Sequence, residues 1–225
     1  MEGFWDITLF GQVFNLSTII MTWVSMLLVL VLARFATRNL QVVPSKAQVV
    51  GEGLFDFCRS ITMATAGKRG DGFLFFIGSL FLFILIANLV GQLPLKLIQL
   101  PHGELKAATG DINTTTALAL MTVLMYFGVG IKKKGFGYFK HYLSPSPVFL
   151  PLNILEDFTR PGSLLIRLYF NVLVGEILSY LTLKIMPIAL PSLVVFLEMF
   201  VAFIQAYIFA ILSSVYVSML SEDHH

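Results

Sequence analysis

The sequence predicts an all-α integral membrane protein, with five membrane-crossing helices, a short amphipathic or re-entrant segment, and two long final helices forming a tilted hairpin. Three observations carry this expectation. Hydrophobic residues fill 57% of the 225 positions, charged residues only 12%, and mean hydropathy is +0.85, which leaves too little polar surface for a water-soluble fold. The apolar residues gather into blocks long enough to cross a hydrocarbon core about 30 Å thick, which takes roughly 20 residues of helix. The basic residues sit in connections between those blocks. Residues 1–225 therefore read as a single polytopic domain with no appended soluble catalytic domain. Such a chain is not itself an enzyme, and any catalysis belongs to partners.

The opening MEGFWDITLFG is acidic and has no basic stretch before its first apolar run, so a cleaved secretory signal is not expected. Block one runs from about Phe14 to Ala33, block two from Phe73 to Leu93, and block three from Thr114 to Ile131. A shorter stretch, Val148 to Leu155, is interrupted by Pro151 and followed by Glu156, Asp157 and Arg160; it is too short to cross. Blocks four and five, Ser163 to Met186 and Pro187 to Leu220, meet at Pro187 and Pro191, where a helix is expected to break into a hairpin. Block five exceeds the hydrocarbon thickness at about 1.5 Å per residue and must tilt.

Arg34, Arg38, Lys46, Arg59, Lys68 and Arg69 lie between blocks one and two; Lys132, Lys133, Lys134, Lys140 and Arg160 lie between three and four. The connection between blocks two and three carries only Lys96 and Lys106, and the segment before block one carries none. Positive charge stays on the cytoplasmic side, so the N-terminus is expected outside and, after five crossings, the C-terminal SEDHH inside.

Several function classes fall away. A net charge of +2 without a continuous basic stripe does not suit nucleic acid. The lone Cys58 excludes an intrachain disulfide and a thiolate metal cluster. Gly67 and Lys68 are adjacent, but Thr62 stands where a phosphate-binding loop needs its first glycine. The two halves show no matched hydropathy of the kind found in secondary transporters. No cofactor or metal is expected.

The unusual charges lie in the last hairpin. Arg167, between Ile166 and Leu168, would cost at least roughly 2.5 to 3.5 kcal/mol at bilayer depth. Its guanidinium cannot practically lose a proton, so it suits a gate or counter-ion and not a relay. Snorkelling to headgroups from a position shortly after Pro161 is the plainer alternative. Asn171 falls one turn on, on the same side, whereas Glu176 faces nearly the opposite way at about 100° per residue. Glu198, Gln205 and Tyr216 keep to one stripe of block five, with Ser213 at its edge, as a water-filled path or a buried interhelical network requires. Glu176 and Glu198 are ionisable groups inside apolar helices and can carry protons. Nothing in the chain obviously moves, so the ion carrier must be a partner with its own carboxylate.

Three long segments stand out from about residue 98 onward: IQLPHGELKAATGDINTTTALAL (98–120), KKGFGYFKHYLSPSPVFLPLNILEDFTRPGSL (133–164) and FIQAYIFAILSSVY (203–216). In them the chain closely resembles subunit a of F-type ATP synthases, especially the cyanobacterial and chloroplast branch, and NLVGQLP (88–94) is similar to the family's pattern at the end of the second span. The family hallmark is arginine, leucine, phenylalanine, glycine, asparagine; here it reads RLYFN, Arg167 to Asn171. Tyr169 and Phe170 depart from it, and loss of the glycine puts a close helix approach there in doubt. The departures, with no plastid-type N-terminal extension, point to an atypical bacterial copy.

The resemblance implies that Arg167 faces the carboxylate of the c-subunit ring with Asn171 beside it. It places Glu176, Glu198 and Gln205 in half-channels and makes Asp111 and Asn113 the polar mouth of the outer path; Glu156 and Tyr216 are further candidate lining residues. The hairpin 163–220 would conduct the ion. The implied partners are the c-ring, b/b'-type peripheral stalk subunits, the rest of the complex, and lipid. A bacterial inner membrane is the expected location, with a thylakoid as alternative. Protons are the expected ion, with sodium as alternative. The rivals from other classes are an independent channel or secondary transporter and a purely structural membrane subunit.

Overall fold

The computed structural model describes residues 6–9, 12–92, 107–134, 150–186 and 189–219. Strands β1 (Asp6–Leu9) and β2 (Gln12–Asn15) pair antiparallel with Asp6 opposite Asn15 and Leu9 opposite Gln12. This small ribbon is an addition to the helical reading. Helix α1 (Leu16–Thr37) follows directly, and Asn15 Oδ1 accepts the Ser17 amide at 3.1 Å. That bond satisfies one of the N–H groups left free at a helix start.

Helix α2 (Lys46–Ala66) occupies part of the basic connection between the first two apolar blocks. Ser45 caps it, its Oγ accepting the Gln48 amide at 3.3 Å. Gly67 ends it at φ +58°, a left-handed conformation that glycine adopts without a Cβ clash, and donates its amide to the Met63 carbonyl. Its inward residues, Phe57, Cys58, Ile61, Thr62 and Thr65, recur at helical spacing, while Glu52, Asp56 and Arg59 face outward. A one-sided apolar stripe is diluted in any running average of hydropathy, which is why no block stands out there.

Helices α3 (Leu74–Gln92) and α4 (Ile112–Lys134) are the second and third blocks, joined partly by a 3-10 turn, Ala108–Gly110. Helix α5 (Leu150–Ile185) runs 36 residues, which corrects the expectation of a separate short segment at 148–155. The described part of that segment is the start of α5. Pro151 stands in the first turn, where its missing N–H breaks no internal bond, and Pro161 removes only one bond from a long ladder. Helix α6 (Ala189–Met219) likewise tolerates Pro191 in its first turn. Pro187, Val148, Lys96, Lys106, Lys140 and the terminal SEDHH lie outside the described residues. Among the described residues five helices are long and apolar enough to cross a membrane: Leu16–Thr37, Leu74–Gln92, Ile112–Lys132, Phe158–Ile185 and Ala189–Met219.

Helix α6 is the hub, packing against α3 and α5 and also against α2 and α4. Ala202, Ala206, Ala210, Ser214 and Ser218 repeat every fourth residue along its buried face. Such a ladder lets backbones approach closely, which matters in lipid because apolar side chains gain little by leaving acyl chains for protein. Against it pack Ile77, Leu80, Phe81 and Ile84 of α3, with Leu164 and Leu168 of α5 and Phe209 of α6. Phe57 of α2 closes an aromatic group, 5.4 Å from Phe81, 5.9 Å from Phe203 and 5.7 Å from Tyr207. Beside it Cys58 is buried, and desolvation pushes its thiol pKa above the ordinary 9.0.

Candidate functional site

The carboxylate of Glu198, on α6, accepts a hydrogen bond from Ser179 Oγ of α5 at 3.2 Å, and its main-chain carbonyl accepts from Gln92 Nε2 of α3 at 2.8 Å. Three helices therefore meet at one residue. Gly175, one turn before Ser179, makes room for it: a methyl group there would meet Glu198 Oε1 at 2.9 Å. Glu176 turns toward the 3-10 turn, where a methyl group on Gly110 would lie 3.5 Å from its Oε1. In that turn Thr109 Oγ1 donates to Asn88 Oδ1 of α3 at 2.7 Å, both residues being buried. Glu176 and Glu198 each lie nine residues from the described ends of the hairpin, Ile185 and Ala189. They sit at one level, about 14 Å along either helix.

Arg167 stands midway along α5, and its side chain is exposed. Ile166, Phe170, Val174, Ile177 and Leu181 make the exposed row around it apolar. It forms no ion pair with a described residue. Phe158, where the apolar span of α5 begins, lies about 14 Å of helix before it, so the helix start is not near. The Ser179–Glu198 contact and the Arg160 guanidinium stacked 5.6 Å over the Tyr216 ring set the antiparallel register of α5 on α6. That register brings Gln205, only 5% exposed, to the level of the Arg167–Asn171 turn.

A family model described as ATP synthase A chain matches residues 19–218. The chain belongs to the ATP synthase A chain family. It is accordingly subunit a of an F-type ATP synthase, a multi-pass, non-catalytic part of the membrane sector.

Within this subunit a the expected site residues divide. Glu198, Gln205 and Tyr216 lie toward the interior of α6, where the stripe placed them, and Glu176 points away from Arg167. Asp111 has a local task, its Oδ1 accepting the Asn113 amide at 2.8 Å to cap α4, and Asn113 is exposed. Glu156 belongs to α5, but its side chain is outside the described set. Phe170 lies on the exposed row of α5, its ring 5.6 Å from that of Tyr169 and nearly perpendicular to it. The ring is exposed, so among the described residues the missing glycine hinders no packing of α5. Among the described residues no three His, Cys, Asp or Glu side chains gather in a way that could hold a metal ion.

Sequence reasoning missed Asn88, Gln92, Thr109 and Ser179. Asn88 and Gln92 carried a signal, being two amides one turn apart in an otherwise apolar helix. Thr109 carried none, since its partner lies across a connection.

Proposed function

We propose that this subunit a provides two aqueous half-channels that pass protons to and from the carboxylates of the c-ring. The carrying observation is a division of charge on the hairpin. Arg167 is presented outward on an apolar row, whereas Glu176 and Glu198 turn to the protein interior about 14 Å nearer the hairpin. A fixed cation exposed on a face that cannot be solvated needs an anionic partner, and a passing ring carboxylate is such a partner. It discharges its proton as it meets the guanidinium, which attracts the carboxylate and repels a proton in transit. The interior carboxylates feed the outer path, and Asn171 and Gln205 line the level of the barrier. The hairpin 163–220 is the conducting unit, with Tyr216 toward the inner mouth.

The basic connections support an orientation with the inner end on the cytoplasmic side, and the membrane in this reading is a bacterial inner membrane. In this reading b-type stalk subunits pack around the remaining helices. Arg167→Ala is expected to abolish ATP-driven proton pumping in membrane vesicles while the complex still assembles. Retention of full coupling by that variant would refute the reading. Lysine should substitute poorly, because an ammonium lacks the planar fork that meets a carboxylate at two points.

A further inference from the structure

Two side-chain atoms on one face of α3 are buried with no hydrogen-bond partner among the described residues, Asn88 Nδ2 and Gln92 Oε1. One is a donor and the other an acceptor, and they stand one helical turn apart, about 6 Å along the axis. Stripped of solvent, each carries a desolvation penalty unless something polar reaches it. A water molecule answers both needs, since it accepts from the asparagine amide and donates to the glutamine carbonyl. The other ends of the two side chains are already engaged: Asn88 Oδ1 accepts from Thr109 at 2.7 Å, and Gln92 Nε2 donates to the Glu198 carbonyl at 2.8 Å. The orphaned pair thus lies between the turn that Glu176 faces and the residue whose carboxylate is held by Ser179.

We infer that Gln92 is a positioning residue of the outer proton path: its amide fixes the α6 backbone at Glu198, and its carbonyl oxygen, with Asn88, holds water that links the Glu176 side of the path to Glu198. This rests on the half-channel reading above. A proton arriving on the water passes to the Glu198 carboxylate as another leaves it toward the barrier, so no net charge accumulates. Leucine has nearly the volume of glutamine but can neither donate nor accept, so it removes both functions while filling the space.

The experiment uses the assembled complex in membrane vesicles stripped of the catalytic sector. Gln92→Leu should lower passive proton conductance at least tenfold, while Gln92→Glu restores it with a pH profile displaced by the added carboxyl group. Gln92→Cys, in a Cys58→Ser background, should react with a membrane-impermeant thiol reagent applied from the outer side. If leucine at 92 blocks assembly, the cysteine labelling and the conductance of Gln92→Ser decide. Wild-type conductance and pH profile in Gln92→Leu, or an unreactive cysteine, would overturn the inference. Arg167→Ala, assayed for ATP-driven pumping in vesicles that keep the catalytic sector, separates the two readings. If it uncouples while Gln92→Leu behaves as wild type, only the role of Gln92 falls; if it stays coupled, the half-channel reading itself fails.

Discussion

The polar groups at the two ends of the α5–α6 hairpin differ in kind. Near the hairpin turn they are carboxylates and carboxamides on three helices, Glu176, Glu198, Asn88 and Gln92, and two amide atoms among them, Asn88 Nδ2 and Gln92 Oε1, lack a partner among the described residues. Toward the opposite end they are hydroxyls that bond one another. Thr65 of α2 meets Ser214 of α6, and Thr122 of α4 lies 3.4 Å from Ser213. There Arg160 spreads over the Tyr216 ring beside a small cleft that Thr122, Tyr126 and Leu164 also line. Hydroxyl pairs close on themselves and act as glue between helices, whereas half-satisfied amides beside carboxylates ask for water. Both regions count as polar residues in a membrane helix. Only the pairing tells a path from a seam.

That contrast can be broken most directly at Glu198. Glu198→Ala should cut proton conductance of the stripped vesicles by about two orders of magnitude, the scale on which loss of a positioned proton-transfer group is felt. It should leave assembly intact, because the Gln92 bond is to the main chain. A normal rate would mean that the outer cluster is a seam as well. At the other end, Ser214→Ala removes one interhelical hydroxyl pair and should cost about 0.6 kcal/mol of stability, with pumping close to normal. Detergent-melting curves and pumping assays on one preparation check this, and a large pumping defect would make the inner end a path too.

The smallest effect concerns Cys58, buried between the two regions where α2 meets α3. With the folded-state pKa raised by desolvation, the thiol keeps its proton in the native protein at pH values where the unfolded chain has lost it. Native protein should therefore alkylate slowly and denatured protein quickly at about pH 8 to 9. Stability contributed at this site is full below the ordinary thiol pKa and falls as pH rises past it. Equal alkylation rates for the native and denatured forms would show that α2 does not seal this position.

Much of the fold was legible because lipid imposes a crude rule. A block such as Leu74–Gln92 can only be a crossing helix, and Arg167 in such a block can only be costly or functional. Helix α2 was not legible as a helix, since its stripe of Phe57, Cys58 and Ile61 is interleaved with charge. The start of α5 was misread because Pro151 looks like a break until it is seen to occupy a first turn.

Sequence alone determined the solvent, the five crossings, the inward stripe of Glu198, Gln205 and Tyr216, and the opposition of Arg167 to Glu176, because helical periodicity and transfer free energy are local quantities. Tertiary structure decided which polar groups meet. That Gly175 and Ser179 frame the Glu198 carboxylate, that Gln92 reaches its carbonyl from α3, and that Phe170 is left exposed all follow from the register of helices distant in sequence. A hydrogen bond across such a gap depends on packing distances that no local pattern encodes.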